Sequence, residues 1–261
     1  MDEPQRRRES FDTVAELYNQ YRPGYPAEVV DAIVGAAGLK AGDRVLEIGC
    51  GTGQLTGPLL DWGAHVHAVE LGVHLAAIAR AKFQGKPNCI IDTAAFEEWP
   101  IPAEPFDVVV SATAFHWIDA AVRANKCWEA LGPGGALVAL YPHHIEGGSV
   151  QYFQDSQTYY LKWGLSTHPD WRLPTADEVP RMYEDIDKHP GFAVERRFLE
   201  IVRHLTREQY VGQLRTDSLI LTLAPQAREG FLSDIAALID SRCGGSIDRR
   251  FRYEIVIARK E

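Results

Sequence analysis

The sequence predicts an α/β fold in which a doubly wound sheet of parallel strands has helices on both faces. Apolar strand segments alternate with helical segments five times before residue 142, and this alternation is typical of parallel βαβ units. The first strand, with Val45, Leu46 and Ile48, and the strand Phe106–Ser111 are strongly apolar, as expected for strands that are buried on both faces. A glycine-rich turn after the first strand is the third indication, because ligands bind beyond the carboxyl ends of the strands in such sheets.

The first strand and its turn form the stretch Val45-Leu46-Glu47-Ile48-Gly49-Cys50-Gly51-Thr52-Gly53-Gln54. Three glycines permit a sharp turn and let a ligand approach the bare backbone. We expect a helix from about Thr52 to Leu60, with its free N–H groups and its positive dipole end at the ligand. Because Glu47 precedes the turn, a ligand that carries positive charge is favoured over a polyphosphate.

Prolines and glycines separate the other predicted elements. Residues 1–9 are polar and are expected to be disordered, and Ser10 is a candidate N-cap for the helix that follows. Periodicity predicts helices over Ser10–Gln20, Ala27–Ala37, Val73–Lys82 and Ala121–Leu131, and strands over His65–Val69, Asn88–Ile91, Phe106–Ser111 and Ala136–Tyr141.

The alternation stops at Pro142. Residues 143–191 are rich in aromatic residues and prolines, which indicates a helical cap inserted over the sheet. We expect a single domain over residues 1–261, with lid helices at about residues 9–37. The last predicted elements are a strand at Phe192–Val202, helices at Thr206–Arg215 and Pro225–Ser241, and a strand at Arg249–Ala258.

Composition excludes several classes of protein. The net charge of −9 argues against a sequence-independent nucleic-acid binder. The short basic runs Arg6-Arg7-Arg8, Arg196-Arg197 and Arg249-Arg250-Phe251-Arg252 are interpreted as solvated faces. The four scattered cysteines predict free thiols, and no apolar run is long enough to cross a membrane. We therefore expect a cytoplasmic protein that binds neither nucleic acid nor a membrane, and no cluster with metal-ligand spacing is present in the sequence.

The glycine loop has two interpretations. A dinucleotide fingerprint requires a third glycine where this chain has Gln54. The pattern present is Glu-x-Gly-x-Gly-x-Gly, followed by Glu70 at the end of the next strand. This pattern resembles the first two motifs of class I S-adenosylmethionine-dependent methyltransferases. Glu47 suits the ammonium and sulfonium charges of that cofactor, and Glu70 lies where a carboxylate can accept both ribose hydroxyls.

Further motifs resemble the small-molecule methyltransferases of type 11, and in particular the trans-aconitate methyltransferase-like branch. The resemblance covers nearly the whole chain and implies a seven-stranded sheet whose last strand is antiparallel. The motifs are Tyr18-x-x-x-Arg22-Pro23-Gly24-Tyr25-Pro26, Phe96-Glu97-Glu98-Trp99-Pro100, Ser111-Ala112-Thr113-Ala114-Phe115-His116-Trp117 and Ala258-Arg259-Lys260.

The resemblance also implies the cofactor contacts. Ala95 stands where the family often has a carboxylate that accepts from the adenine amino group, and Asp92 and Glu97 are the acids nearest to it. The implied cofactor-binding residues are Glu47, Gly49, Gly51 and Gly53 in and before the loop, Glu70 at the ribose, Leu71, Ala95 and Phe96 at the adenine, Ser111 and Ala112 at the methionine end, and Tyr18 and Arg22 in the lid.

Three histidines are candidates for a general base. His116 follows the fourth strand, near the expected position of the sulfonium methyl, and His143 and His144 follow the fifth. A purely structural role stays an alternative for His116, whereas His143 and His144 are each expected either to act as the base or to bind the substrate. Arg22 and Arg172 are candidate partners of a substrate carboxylate.

The sequence thus predicts an enzyme that transfers the methyl group of S-adenosylmethionine to an O, N or C atom of a small molecule by in-line displacement. Positioning and desolvation can supply most of the acceleration, because the sulfonium is already a strong electrophile. Two alternatives remain at this point, a regulatory subunit that binds the cofactor without turnover and a nicotinamide-dependent oxidoreductase.

Overall fold

In the computed structural model, residues 3–166, 168 and 170–261 are described, with side chains from residue 7 onward. The strands are β1 (Arg44–Ile48), β2 (His65–Glu70), β3 (Cys89–Thr93), β4 (Phe106–Ala112), β5 (Leu131–Gly148), β6 (Phe192–Thr206) and β7 (Ser246–Lys260). They form one sheet in the order β3-β2-β1-β4-β5-β7-β6.

The sheet is mixed. β1 pairs in parallel with both β2 and β4, β2 pairs with β3, and β4 pairs with β5. β6 and β7 run antiparallel, because residue numbers rise along one strand as they fall along the other in the ion pairs Arg196–Glu254, Arg250–Glu200 and His204–Asp248. The predicted seven-stranded, mostly parallel sheet with antiparallel pairing at its last strand is confirmed.

Ten helices occur in the described part of the chain, and short 3-10 turns lie between some of them. None of these helices is both long and apolar enough to cross a membrane. They are α1 (Glu3–Ser10), α2 (Ala15–Tyr21), α3 (Ala27–Ala37), α4 (Thr56–Asp61), α5 (Val73–Lys82), α6 (Ala120–Ala130), α7 (Val150–Lys162), α8 (Glu184–Asp187), α9 (Arg207–Leu214) and α10 (Pro225–Cys243).

The chain divides into two compact units. The glycine-loop unit comprises Pro23–Tyr141, Arg181–Leu199 and Tyr253–Glu261, and the cavity unit comprises the residues up to Arg22, Pro142–Pro180 and Glu200–Arg252. Each unit has its own apolar core. The central strands dominate the first core, and α7 and α10 contribute largely to the second. The expectation of one domain over residues 1–261 stays a prediction.

The N-terminal segment differs from its prediction. The backbone of residues 3–10 is helical instead of disordered, and residues 1 and 2 lie outside the described residues. Ser10 does not cap the next helix, because its hydroxyl donates to the carbonyl oxygen of Arg7 at 2.7 Å. The guanidinium of Arg7 donates in turn to the hydroxyl of Ser218 at 3.1 Å, a contact within the cavity unit that polar composition does not reveal.

Two further boundaries were predicted wrongly. α4 begins at Thr56 and not at Thr52, because the chain first makes a tight turn in which the N–H of Gly53 donates to the carbonyl of Cys50 at 2.9 Å. β5 starts at Leu131 and runs through the glycines to Gly148, with a register shift opposite Phe106 and Val108. Residues 143–148 therefore belong to a strand, and the helices in the predicted cap segment are α7 and α8.

Candidate active site

Glu47 lies near the end of β1 and is only 3 % exposed. Its Oε2 accepts a hydrogen bond from the Thr56 hydroxyl at 2.6 Å. Burial raises the pKa of this carboxyl to about 7, the hydrogen bond from Thr56 acts in the opposite direction, and the charge of Glu70 adds to the rise. Glu47 therefore exchanges its proton near neutral pH, and a cation bound beside it favours the ionised form.

The glycine loop after β1 has no room for side chains. Gly49, Gly51 and Gly53 have φ angles of 73°, 59° and 90°, in the left-handed region that favours glycine. A Cβ atom at Gly49 would lie 2.4 Å from the Cβ of Ala114, and one at Gly53 would lie 2.3 Å from the ring of Phe83. The loop is therefore a bare-backbone surface, which any other residue at these positions would distort.

Glu70, the last residue of β2, holds the loop in place. Its two carboxylate oxygens accept the N–H groups of Gly51 and Gly72, each at 2.8 Å, and the N–H of Gly49 donates to the carbonyl of Val69 at 2.8 Å. The carbonyl oxygens of the loop, and not the N–H groups of Gly49 and Gly51, are the polar atoms suited to a ligand ammonium.

The carboxyl end of β4 closes this site from the other side of β1. Ser111 is fully buried, and its hydroxyl donates to the carbonyl of Ile48 at 2.9 Å. The phenol of Tyr25 donates to the carbonyl of Ala112 at 3.1 Å and lies 3.0 Å from the hydroxyl of Thr113. Thr113 has a φ of 59°, an uncommon conformation for a residue with a branched side chain. The sequence did not single out Tyr25 as a site residue, although it stands in a quoted motif.

The residues expected at the adenine differ in exposure. Phe96 is 1 % exposed and packs in the core of the glycine-loop unit, with the Lys126 ammonium 5.4 Å from its ring centroid. Leu71 and Ala95 are half-buried. The side chains of Leu71 and Ala95 are therefore the more accessible of the three.

Asp92 does not replace the carboxylate that is missing at Ala95. Its Oδ2 accepts from the indole N–H of Trp99 at 2.8 Å and lies 2.8 Å from the Nε2 of His67. Although burial alone would raise it, the pKa of Asp92 is held below its usual value by these two hydrogen bonds. This carboxylate is thus committed to contacts within the protein, as is Glu97, which accepts the backbone N–H of Asp119 at 3.3 Å.

His116 lies in the 3-10 turn Phe115–Trp117, just after β4. Its ring meets the ring of Tyr141 edge-on, with the centroids 5.4 Å apart. The turn is held by the buried Arg123, whose guanidinium donates to the carbonyl of the first turn residue at 2.8 Å and forms a bidentate pair with Asp185 at 2.5 and 2.7 Å. The position of His116 is therefore fixed by a buried ion pair.

The other predicted site residues belong to the cavity unit. The guanidinium of Arg22 donates to the hydroxyl and the carbonyl of Thr216, each at 2.8 Å, and lies 5.3 Å from the ring centroid of Tyr18. His143 is 5 % exposed. Burial, with the charge of Arg249 as a second cause, lowers the pKa of His144 to about 3, which makes this imidazole a weak proton acceptor.

Arg22 and His144 line a cavity of about 580 Å³ within this unit. Arg249 also lines it, so the interpretation of the run Arg249–Arg252 as a solvated face is wrong for Arg249. It holds for Arg250, which pairs with Glu200 at 2.5 Å. Alternation along a strand, which sends neighbouring residues to opposite faces, was the signal that separates the two arginines. The other candidate carboxylate partner, Arg172, is engaged by Glu178 at 2.5 Å.

The glycine-loop site fits S-adenosylmethionine by the chemistry of its groups. Two buried acids, Glu47 and Glu70, stand on either side of a loop whose carbonyl oxygens are acceptors for an ammonium group. A carboxylate at the end of β2 matches a ribose diol. The ammonium of Lys82, which contacts the loop, is engaged by the carbonyl of Thr52 at 3.0 Å. The arrangement therefore favours a cationic nucleoside over a dinucleotide.

Comparison with known proteins points the same way. A family model described as a methyltransferase domain matches residues 45–135. An uncharacterized methyltransferase of Mycobacterium tuberculosis is 34% identical over 231 residues, which are 88% of this chain and 85% of the relative. A solved putative type II methyltransferase from Anaeromyxobacter dehalogenans has a TM-score of 0.60 at 21% identity, with 92% of this chain and 98% of that chain covered.

A second solved structure is the phosphoethanolamine N-methyltransferase 2 of Haemonchus contortus, in complex with phosphomonomethylethanolamine and S-adenosylhomocysteine. Its TM-score is 0.56 at 19% identity. The match covers 95% of this chain and 57% of that chain. At these identities, the two solved structures show a common fold. The mycobacterial relative extends the similarity in sequence over most of the chain.

Proposed function

We propose that this chain, which belongs to the S-adenosylmethionine-dependent methyltransferases, methylates an O, N or C atom of a small molecule. The observation that carries the proposal is the group formed by Glu47, the glycine loop and Glu70 at the carboxyl ends of β1 and β2. When bound, S-adenosylmethionine supplies a methyl group activated by its sulfonium, which the acceptor atom takes by in-line displacement.

Two observations support a small acceptor. The net charge of −9 disfavours nucleic acid. The phosphoethanolamine methyltransferase that shares the fold is solved with a small phosphorylated amine. The assignment to the type 11, trans-aconitate methyltransferase-like branch belongs to the same proposal and is supported by the motifs at Tyr18–Pro26 and Ser111–Trp117.

The residues of the glycine-loop unit bind and orient the cofactor. Glu70, whose carboxylate also holds the N–H groups of Gly51 and Gly72, accepts the ribose hydroxyls, and Glu47 supplies negative charge near the methionine end. The carbonyl oxygens of Gly49 and Gly51 accept from the ammonium group. Because these groups are fixed by hydrogen bonds within the protein, they hold the reacting methyl in one orientation and reduce the entropic part of the barrier.

His116 is the proposed base for acceptors that lose a proton. It belongs to the same unit as Glu47 and Glu70, and Arg123 fixes the turn that carries it. His143 has almost no exposed surface, and the lowered pKa of His144 suits hydrogen bonding better than proton transfer. We propose that neither of these two residues is the base.

The experiment that tests the proposal combines ligand-induced stability with turnover. S-adenosylhomocysteine at about 100 times its Kd is expected to raise the Tm by roughly 5–10 °C through its binding to the native state. Glu70→Gln loses one acceptor and is expected to weaken this ligand by about 10- to 100-fold, whereas the exposed Glu98→Gln is the matched control without effect. No shift at millimolar ligand contradicts the proposal. In a labelled-methyl assay over an acceptor panel, His116→Asn is expected to lower kcat and to remove the acidic limb of its pH profile, where the base becomes protonated, while cofactor affinity is retained.

A further inference from the structure

The cavity in the cavity unit is lined by aromatic and charged side chains. Phe153, Tyr160, Trp171 and Tyr210 all contribute to its lining, along with several leucines. Burial raises the pKa of Tyr160 and of Tyr210 above the usual range, so both phenols stay neutral. Aromatic walls of this kind bind a flat apolar group through offset stacking and edge-to-face contacts.

The charges that face the cavity have a positive sum. Arg22 and Arg249 contribute two cations, and Asp217 is the one carboxylate among the lining residues that are described. Asp217 accepts the backbone N–H of Leu219 at 2.9 Å. The cavity has one excess positive charge, although the whole chain has a net charge of −9. The cavity therefore favours an anionic ligand.

Arg249 is the cation best placed for an anionic ligand. Its guanidinium carbon lies 4.7 Å from the ring centroid of Phe251 and 5.5 Å from that of Tyr210, so two aromatic rings contact this cation. In the described part of the chain, no carboxylate forms an ion pair with Arg249, whereas Arg207, Arg215 and Arg250 of the same unit are all paired. Its Nε is also buried without a hydrogen-bond partner there.

His144 complements Arg249. Its Nδ1 lies 3.5 Å from a terminal nitrogen of the guanidinium, which is always a donor. Nδ1 is therefore the accepting nitrogen, and Nε2 carries the hydrogen. That Nε2 is buried and has no hydrogen-bond partner among the described residues. Arg249 and His144 thus each hold one buried N–H group that lacks an acceptor among the described residues.

We infer that this cavity binds a small planar molecule with a single carboxylate, with the Arg249 guanidinium as the partner of the carboxylate and the aromatic side chains against the ring. A neutral ring leaves Arg249 without a counter-charge in a partly desolvated wall. A tricarboxylate brings more negative charge than one excess cation balances and meets Asp217.

The test measures binding by calorimetry on the full chain with benzoate, its uncharged isostere benzamide and the aliphatic tricarballylate as probes, each with and without S-adenosylhomocysteine. Benzoate is expected to bind at least about 10-fold more tightly than benzamide. Arg249→Gln is expected to weaken benzoate by about 10- to 100-fold and to leave benzamide unchanged, because a charge-assisted bidentate contact is lost. Arg249→Lys, which keeps the charge and loses the planar fork, is expected to lie between the two.

Arg242→Gln is the matched control, since Arg242 lies on the exposed surface of α10 in the same unit. Equal affinity for benzoate and benzamide overturns the inference, and so does unchanged benzoate binding by Arg249→Gln or tighter binding of tricarballylate. The stability shift with S-adenosylhomocysteine, measured on the same samples, reports separately on the proposed function and on the folding of each variant. If Arg249→Gln does not fold, the comparison of the three probes on the unaltered chain and on Arg249→Lys decides.

Discussion

Glu47 couples the stability of the fold to pH. Its pKa is about 7 in the folded protein against a usual value of 4.5, so the folded state retains a proton that the unfolded chain loses as the pH rises between these values. Stability from this group is fully present below about pH 4.5 and is lost as the pH rises through 7. Glu47→Gln keeps an acceptor for the Thr56 hydroxyl and removes the charge, so we expect it to be more stable at pH 8 by on the order of 3 kcal/mol.

Urea unfolding at several pH values measures this effect. The difference between Glu47→Gln and the unaltered chain is expected to shrink as the pH falls and to vanish near pH 4.5. Glu98→Gln, an exposed carboxyl on the same unit, is the control for the loss of a charge and should give a pH profile parallel to that of the unaltered chain. Parallel profiles for Glu47→Gln as well would show that the buried carboxyl does not titrate in this range.

At the scale of residues, the sequence predicted where the candidate site residues lie better than it predicted what each of them contacts. The strand-end rule placed Glu47 and Glu70 at one edge of the sheet, because adjacent parallel strands end together. This rule did not reveal that Glu70 accepts hydrogen bonds from the backbone N–H groups of Gly51 and Gly72, because backbone donors cannot be recognised from the sequence. Nor was the opposite orientation of Arg249 and Arg250 predicted, because the basic run was interpreted as one solvated face, although the predicted strand Arg249–Ala258 includes both residues.

At the scale of elements, the segment between α2 and α3 contacts the end of β4 through Tyr25. Its phenol hydrogen-bonds to the carbonyl of Ala112 and to the hydroxyl of Thr113, next to a strained backbone at the end of β4. Tyr25→Phe keeps the ring and removes both contacts. We expect a stability loss of about 1 kcal/mol and a fall in kcat/KM of about 10- to 100-fold, because the end of β4 loses the contact that fixes its orientation.

Denaturant unfolding and steady-state kinetics separate these two effects. Tyr159→Phe is the matched control, since its hydroxyl has no hydrogen bond in the described residues and it belongs to the other compact unit. A Tyr25→Phe variant that loses stability while kcat/KM is unchanged would assign Tyr25 a structural role alone. A fall in kcat/KM with unaltered affinity for S-adenosylhomocysteine would place its effect on the reacting geometry.

The bounds of helices and strands were predicted correctly where the helix- and strand-breaking residues of the sequence agree with the pairing and packing in the fold. Helix α3 and helix α5 have the predicted bounds, because a proline or glycine precedes each and apolar periodicity fills it. β5 was predicted too short because Gly132–Gly135 has the composition of a turn. The strand tolerates these residues through the register shift opposite Phe106 and Val108, and that shift depends on the neighbouring strand and not on local sequence.

At the scale of the whole molecule, the net charge of −9 and the acids at the glycine loop act on the two forms of the cofactor differently. S-adenosylmethionine has a net charge of +1 at neutral pH, whereas S-adenosylhomocysteine has lost the sulfonium and is neutral overall. Composition predicted the sign of this field from the start, and the structure adds that Glu47 and Glu70 bring two of the acids to the site itself. The field of the whole chain should therefore favour the substrate form over the product form at low ionic strength.

Salt separates this long-range attraction from the contacts at the site, because the Debye length falls from about 30 Å at 0.01 M to about 10 Å at 0.1 M. Between 0.01 and 0.5 M salt, we expect the affinity for S-adenosylmethionine to fall by roughly 3- to 10-fold and the affinity for S-adenosylhomocysteine to change by less than about 2-fold. Calorimetric titration of both ligands in a salt series measures the two slopes, and each ligand is the control for the other. Equal slopes would contradict a role for the long-range field of the protein. Any preference for S-adenosylmethionine would then come from the buried carboxyl groups, because salt screens buried charges little.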